Sequence, residues 1–280
     1  MICQWQEVLS ILPLWMRQGV DELGKNDMQE LRLRLWSKPQ IVLERKSVWL
    51  ERLICSDDLS FCINTATKYS PWTSGSIAEG FVTAPGGHRI GICGSCVYEG
   101  DRLKNISHIT SVCIRVARDF EGIARSLYHH NNSILIIGAP GSGKTTFLRD
   151  LIRGISNTSN GCITVLDERK ELFPLSSGKF CFDSGKKTDI LSGCKKSEGI
   201  DMVLRTMGPS VIALDEITNP DDCRAILNAA WCGVMLIATA HAANKEELQS
   251  RKIYRTLLDN CVFQTLITIH SDKSWQEEQL

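Results

Sequence analysis

From residue 133 onward, short apolar runs alternate with stretches whose apolar residues recur at helical spacing. Ser133-Ile134-Leu135-Ile136-Ile137 is rich in Ile, as expected of a strand buried on both faces of a parallel sheet. Phe147, Leu148, Leu151 and Ile152 then follow a helical period. Three more runs come later. Ile163-Thr164-Val165-Leu166 ends in Asp167-Glu168-Arg169-Lys170-Glu171, Val211-Ile212-Ala213-Leu214 ends in Asp215-Glu216, and 234–239 ends in Ala240-His241. Helical patterns at 197–207 and 220–232 lie between them. Strands ending in polar residues at one edge, with helices between, predict an α/β fold with a doubly wound, mostly parallel sheet. Ligands in that architecture bind beyond the carboxyl ends of the strands, where all these polar groups fall.

The chain before residue 125 has a different pattern. Trp5, Val8, Leu9, Leu12, Trp15, Met16 and Val20 keep a mostly helical spacing, interrupted at Pro13. Leu31, Leu33 and Leu35 alternate with Arg32 and Arg34, which predicts a half-buried strand. Ser37-Lys38-Pro39-Gln40 turns the chain into Ile41-Val42-Leu43, and 57–69 predicts a helix with Ser56 as its N-cap. Gly80-Phe81-Val82-Thr83 and Arg89-Ile90-Gly91-Ile92-Cys93 predict two strands joined by the Gly-rich turn Ala84-Pro85-Gly86-Gly87-His88. The strand signal continues through Val97-Tyr98 and, after a polar turn, through Ile106, Ile109, Val112, Ile114 and Val116. Five of the seven tryptophans lie within the first 72 residues, which argues for a packed domain rather than a tail. The expectation is a smaller α+β N-terminal domain over 1–124, then the α/β domain over 125–280. Arg125-x-x-x-His129 near this boundary resembles a short signature of single-strand nucleic-acid-binding domains, but two residues at fixed spacing read better as one face of a helix.

Composition narrows the function class. Lys+Arg and Asp+Glu are both 32, so the formal net charge is zero and the pI is near 7.0, which argues against an obligate nucleic-acid binder. Met1-Ile2-Cys3-Gln4-Trp5-Gln6-Glu7 lacks the basic start and apolar core of a signal peptide. The twelve cysteines then read as reduced, mostly small buried apolar residues of a cytosolic protein. Cys93-x-x-Cys96 has no second pair at metal spacing, which argues against structural zinc. The longest apolar stretch, 225–240, contains Asn228 and Gly233 and is too short to span a bilayer. Any link to a membrane is therefore expected to run through a partner.

The chemistry centres on Gly138-Ala139-Pro140-Gly141-Ser142-Gly143-Lys144-Thr145, which fits the phosphate-cradling pattern G-x-x-x-x-G-K-[ST] between a strand and a helix. Its glycines let the backbone turn tightly and aim N–H groups at phosphate oxygens. The helix N-terminus adds a partial positive charge and Lys144 a full one, while the Thr145 hydroxyl can ligate Mg²⁺. Thr146 completes the candidate nucleotide contacts. Asp215, at the end of an apolar strand, is a candidate Mg²⁺ ligand, and Glu216 is placed to polarise an attacking water. A protein that only binds nucleotide needs the aspartate but not the glutamate, so Glu216 favours ATP hydrolysis. Glu168 and Glu171 offer further carboxylates, although Arg169 and Lys170 beside them also suit a salt-bridged surface turn. His241 is a candidate for contacting the γ-phosphate or the attacking water. Arg89, Arg115, Arg118 and Arg205 are candidates for completing a site across a subunit interface.

The order and spacing of these motifs resemble the RecA-like secretion and pilus-motor ATPases. That family has a P-loop, an acidic box, an acidic strand end preceded by an Arg-containing segment, and a Thr-x-His box. Glu168 and Glu171 fall in the acidic box, Asp215-Glu216 at the second acidic position, and Thr239-Ala240-His241 in the histidine box. Within that superfamily the chain resembles the stage III sporulation protein AA family. The stretches concerned are Gly80 through Gly91 with its Gly86-Gly87-His88-Arg89 turn, Val165-Leu166-Asp167-Glu168-Arg169, Thr188-Asp189-Ile190-Leu191 and Ile237-Ala238-Thr239-Ala240-His241. The resemblance implies a RecA-like ATPase using ATP and Mg²⁺, assembled as a homo-oligomer, a hexamer by analogy. It implies a place on the cytosolic, mother-cell face of a polytopic membrane protein, in a channel complex joining mother cell and forespore. Two features depart from the pilus motors. Ile217 is followed by Thr218-Asn219 where they usually carry Arg-Asp, and the paired-cysteine zinc insertion of some secretion ATPases is missing. Two other readings compete with the motor: a nucleotide-dependent switch or scaffold with incidental hydrolysis, and a nucleic-acid translocase, against which the neutral charge argues.

Overall fold

The alternation of Leu31 and Leu33 with Arg32 and Arg34 forms β1 (Met28–Arg34) in the computed structural model, whose described residues are 3–68, 80–176 and 178–280. Both leucines are fully buried, while Arg32 pairs with Glu30 on the other face. With β2 (Gln40–Leu43), β3 (Ser47–Trp49), β4 (Phe81–Thr83), β5 (Arg89–Glu99) and β6 (Arg102–Arg115), it builds a six-stranded sheet in the order β3-β2-β1-β6-β5-β4. Every neighbouring pair is antiparallel. Helices Trp5–Ser10, Leu14–Gly24 and Ser56–Ala66 supply Val8, Met16, Val20 and Leu59 to the same core as Leu31, Leu33, Ile41, Ile90 and Ile114. Pro13 sits between the first two helices, as the broken spacing predicts. The third helix starts one residue earlier than expected. Cys55 is its N-cap and donates its backbone N–H to Asp58 Oδ2 at 3.0 Å, so Ser56 is already helical. The helix also ends earlier than the expected Tyr69, at Ala66 with Thr67 as its C-cap; Tyr69 and Trp72 themselves lie outside the described residues.

The Gly-rich turn between β4 and β5 is closed by its own histidine. His88 is fully buried; its Nδ1 accepts the Ala117 N–H at 3.0 Å and its Nε2 meets the Gln4 carbonyl at 3.1 Å. This pairing assigns the proton to Nε2. Burial pushes the imidazole pKa below its ordinary value. Gly86 has φ +78°, and a Cβ there would stand 2.7 Å from His88 Nε2.

In the second unit, β7 (Ile134–Gly138), β8 (Ile163–Asp167), β11 (Thr188–Ser192), β12 (Val211–Leu214), β13 (Met235–Ala240), β14 (Thr265–Ile269) and β15 (Trp275–Gln279) form a seven-stranded sheet ordered β11-β8-β12-β13-β7-β14-β15. Only β15 runs antiparallel to its neighbour. The period of two divides each strand between two cores. Leu135, Ile137, Ile212, Leu214, Leu236 and Ala238 pack with helices Lys196–Thr206, Pro220–Trp231 and Lys252–Asp259. Ile134, Ile136, Val211, Ala213 and Ile237 pack instead with helix Lys144–Thr158. Helices on both faces explain why the runs lack polar alternation. This is the doubly wound, mostly parallel sheet that the sequence predicts, with a smaller α+β unit before it.

The chain divides into Met1–Asp119 with Pro174–Cys181, and Phe120–Phe173 with Phe182–Leu280. The division thus precedes the expected 124/125 boundary, for a definite reason. Asp150 on the helix after the P-loop accepts the N–H groups of Gly122 and Ala124, both at 2.9 Å, and Arg153 donates to the Phe120 carbonyl at 2.8 Å. Residues 120–124 are therefore bonded into the second unit. The short hairpin of β9 (Leu175–Ser176) and β10 (Lys179–Phe180) belongs to the first. Arg125 and His129 share no helix face, since only Arg125–Leu127 forms a single 3₁₀ turn. Among the described residues, no helix is long and apolar enough to cross a membrane.

Candidate functional site

The P-loop connects β7 to helix Lys144–Thr158, and its shape follows from glycines that accept no substitute. A Cβ on Gly138 would lie 2.6 Å from both the Ile269 carbonyl of β14 and Ser142 Oγ. Gly141 and Gly143 have φ +75° and +105°, left-handed values that are strained for other residues. Gly143 caps the helix, so the first-turn amides have no intrahelical carbonyl to meet and converge at the loop. Ser142 Oγ is buried there and has no hydrogen-bond partner among the described residues. Ala139 and Pro140 form the exposed crest, and Thr146 is half-buried in the first helical turn. Lys144 is buried, and its Nζ donates to the Gly138 and Ala139 carbonyls at 2.8 and 3.0 Å. Burial pushes the ammonium pKa down, while Glu216 and Asp215 oppose that shift.

Strand register supplies the rest. Leu214 of β12 stands opposite Leu166 of β8 and Ala238 of β13, so the next residues, Asp167, Asp215 and Thr239, emerge side by side. The buried Thr239 hydroxyl donates to Asp215 Oδ1 at 2.7 Å and accepts the Glu216 N–H at 2.8 Å. Thr145 Oγ1 donates to Asp215 Oδ2 at 3.3 Å. These contacts fix Asp215 beside the P-loop and hold Glu216 at φ +40°, a left-handed conformation unusual for a side-chain-bearing residue. His241 bridges Lys144 and Glu216. Its Nδ1 lies 3.2 Å from Lys144 Nζ and its Nε2 lies 2.9 Å from Glu216 Oε1. Since the ammonium only donates, Nδ1 is the acceptor and Nε2 carries the proton toward Glu216.

The acidic box is arranged differently. Asp167 is buried and accepts the N–H groups of Glu171 and Phe173 at 2.8 and 2.9 Å, folding the turn that follows β8. Its pKa is raised because desolvation outweighs those hydrogen bonds. Glu168 pairs with the buried Lys196, and Glu171 turns its carbonyl to Arg149 at 3.1 Å. Arg169, which reads in sequence as part of a local salt-bridged turn, instead crosses to Glu216 Oε2 at 3.0 Å. Thr218 and Asn219 cap helix Pro220–Trp231: the Asn219 side chain accepts the Asp222 N–H at 2.9 Å, and Thr218 donates to Asp222.

The structure thus brings Lys144, Thr145, Asp215, Glu216 and His241 together with the P-loop, and engages Glu168 elsewhere. The four arginines all have local partners. Arg89 stacks 3.9 Å over Phe81, Arg115 meets Glu30 at 3.1 Å and Arg118 donates to the Met28 carbonyl, all in the first unit. Arg205, in the second, is exposed and donates to the Asp201 carbonyl of its own helix. Sequence reasoning misses Arg169, Lys196 and Lys273, whose Nζ donates to the Gly141 carbonyl at 2.6 Å. Each sits outside a motif or carries a charge that local sequence explains equally well. The expectation that the cysteines are mostly buried does not hold, since only Cys62 and Cys223 of the twelve are buried; Cys223 donates to the Ile253 carbonyl, and Cys194 packs against Gly199.

The donor set suits a nucleotide triphosphate with Mg²⁺. Two hard oxygen donors, Thr145 Oγ1 and Asp215, adjoin converging amides, a lysine and a buried hydroxyl in need of a partner.

Comparison with known proteins agrees with this architecture. The sequence model of the family described as sporulation stage III, protein AA matches residues 3–278. The chain is 31% identical over 280 residues to stage III sporulation protein AA of Bacillus subtilis (strain 168), covering 95% of this chain and 91% of that protein. The ATPase DotB of Legionella pneumophila has a similar fold, with a TM-score of 0.63 at 14% identity, covering 95% of this chain and 79% of DotB. The pilus retraction motor PilT gives 0.57 at 16% identity, covering 94% and 77%. The fold is that of the RecA-like secretion ATPases, and the chain belongs to the sporulation stage III, protein AA family.

Proposed function

We propose that this protein binds ATP with Mg²⁺ in the second unit and hydrolyses it to ADP and phosphate. The observation that carries this reading is the continuous chain from the P-loop lysine through His241 to Glu216, beside Asp215 held by Thr145 and Thr239. Glycines 138, 141 and 143 let the loop close around phosphate oxygens, and Lys144 and the helix amides take up their negative charge. Thr145 and Asp215 are the residues that would hold Mg²⁺, which would supply neutralisation of phosphate charge. Glu216 accepts a proton from the attacking water as its oxygen bonds to the γ-phosphorus and the bond to the ADP oxygen breaks. The left-handed backbone at Glu216 and its paired partners, His241 and Arg169, hold the carboxylate in place for this role.

Family membership extends the proposal. The protein acts as a secretion-type motor of sporulation, working as a homo-oligomer, a hexamer by analogy. It is a cytoplasmic protein held peripherally at the mother-cell membrane by a polytopic partner of a channel complex joining mother cell and forespore. The first unit serves as the N-terminal module, and arginines 89, 115, 118 and 205 are the candidates for completing the site between subunits. The test is steady-state ATP hydrolysis across a protein concentration series, with Glu216→Gln in parallel. Turnover that rises steeply with concentration and falls by about three orders of magnitude in the variant, while nucleotide binding persists, supports the proposal. ATP binding with no turnover at any concentration, alone or with the membrane partner, would replace it with a nucleotide switch.

A further inference from the structure

The phosphate loop has two flanks. On the β13 side stands His241, through which Glu216 meets Lys144. On the other side β14 pairs in parallel with β7, with Ile269 opposite Gly138, so the turn leading from β14 into β15 lies beside the loop. The Lys273 N–H donates to the His270 carbonyl at 3.1 Å, and the His270 N–H donates to the Ser274 carbonyl at 2.9 Å. Asp272 accepts the Ser274 N–H at 3.0 Å. Trp275, the first residue of β15, packs edge-to-face against Phe147 of the P-loop helix, with ring centroids 5.3 Å apart. In a hairpin of this pattern the last turn residue is left-handed, a place that favours glycine. Here it is Lys273, at φ +71°. Its exposed side chain runs past Gly143, and its Nζ donates to the Gly141 carbonyl at 2.6 Å. Among the described residues no carboxylate pairs with this ammonium, whereas Arg169 and Lys196 pair with Glu216 and Glu168.

We infer that Lys273 is a second lysine of the nucleotide site, adding positive charge on the β14 flank for the phosphates that ADP and ATP share. The inference rests on the nucleotide-binding reading of the loop proposed above. A side chain is kept where the backbone favours glycine, and what it brings to the loop is a charge that no protein carboxylate neutralises. The terminal phosphate falls to Lys144 and Glu216 on the opposite flank, so Lys273 strengthens the binding of either nucleotide by the same factor. Because the ammonium is exposed, that factor is modest and falls with salt.

The experiment titrates MgADP and the magnesium complex of β,γ-imido-ATP into the full chain by calorimetry, for the parent, Lys273→Gly, Lys273→Met and Lys273→Arg. Lys273→Gly and Lys273→Met should bind both ligands about fivefold more weakly, by factors equal within about twofold, and Lys273→Arg should stay within about twofold of the parent. The deficit should close at about 0.5 M salt, where charges are screened over a few ångströms. Glycine relieves the left-handed backbone, so Lys273→Gly should unfold at a denaturant concentration no lower than the parent does. A loss of affinity that tracks a loss of stability overturns the inference. So does a deficit for the ATP analogue alone, or one that is equal at low and high salt. A parent that binds neither ligand refutes the nucleotide reading and the inference together. A parent that binds both, with Lys273→Gly unchanged from it, refutes the inference alone.

Discussion

Two Gly-rich turns, one in each unit, differ in how far their polar groups are satisfied within the protein. Ala84–His88 and Gly138–Thr145 both rely on glycines at positive φ, and both bury a basic side chain. In the first, His88 satisfies both ring nitrogens with backbone groups, so its imidazole has no nitrogen left to offer a ligand. In the second, Ser142 Oγ is buried without a partner among the described residues, and the first-turn amides point outward from the helix. The Gly86-Gly87-His88-Arg89 turn, one of the stretches that carry the family resemblance, is thus explained by the architecture of the first unit. Satisfied hydrogen bonds, rather than glycine content, tell the two apart.

The sharpest way to test that contrast is Lys144→Ala. ATP affinity measured by calorimetric titration should fall at least about a hundredfold, or roughly 3 kcal/mol, with the far-ultraviolet spectrum unchanged. Retained affinity would break the comparison at its functional end. Gly86→Ala tests the structural end. It combines a positive φ with a 2.7 Å contact to His88 Nε2, and should lower unfolding stability by about 2 kcal/mol while ATP affinity holds. A loss of affinity without loss of stability would mean that the first turn also serves the ligand.

Acidification gives the next effect. The folded pKa of His88 lies below its ordinary value of 6.5, so between the two the unfolded chain binds a proton that the folded chain refuses. The stability from this group is present above pH 6.5 and is lost as pH falls through that window, by at most about 1.4 kcal/mol per pH unit. Denaturant unfolding at stepped pH should show this slope, and His88→Gln should flatten it. The smallest effect belongs to Arg169→Ala. Its side chain is 54% exposed, so its pair with Glu216 is largely screened, and kcat should fall by no more than about threefold. A larger drop would assign Arg169 a direct role in the reaction.

Much of the second unit is readable from local pattern. The uninterrupted apolar run at 134–137 packs alternately into two cores, which is what a central parallel strand does, and its end meets a glycine that β14 leaves no room to replace. β11 and β14 are harder to read. Thr188–Ser192 is a half-exposed edge strand, and Thr265–Ile269 carries threonines whose burial depends on pairing with β7. The acidic box misleads for a related reason. Five adjacent charged and polar residues look like a self-contained surface turn, yet Asp167 is buried, Glu168 reaches Lys196 and Arg169 reaches Glu216.

By itself, the sequence determined the central strands of the second sheet, the place of the Gly-rich loop between a strand and a helix, and where the charged side chains gather. These depend on hydrophobic period and on glycines that must adopt particular backbone angles, both local properties. The tertiary structure alone decided that Glu216 faces His241 and Arg169, that Asp150 draws residues 120–124 into the second unit, and that Lys273 reaches the Gly141 carbonyl of the Gly-rich loop from much later in the chain. Each of these contacts joins residues well apart in sequence. In a parallel sheet their meeting is set by strand order and register, because crossover connections leave sequence neighbours on different strands and bring distant residues to the same edge.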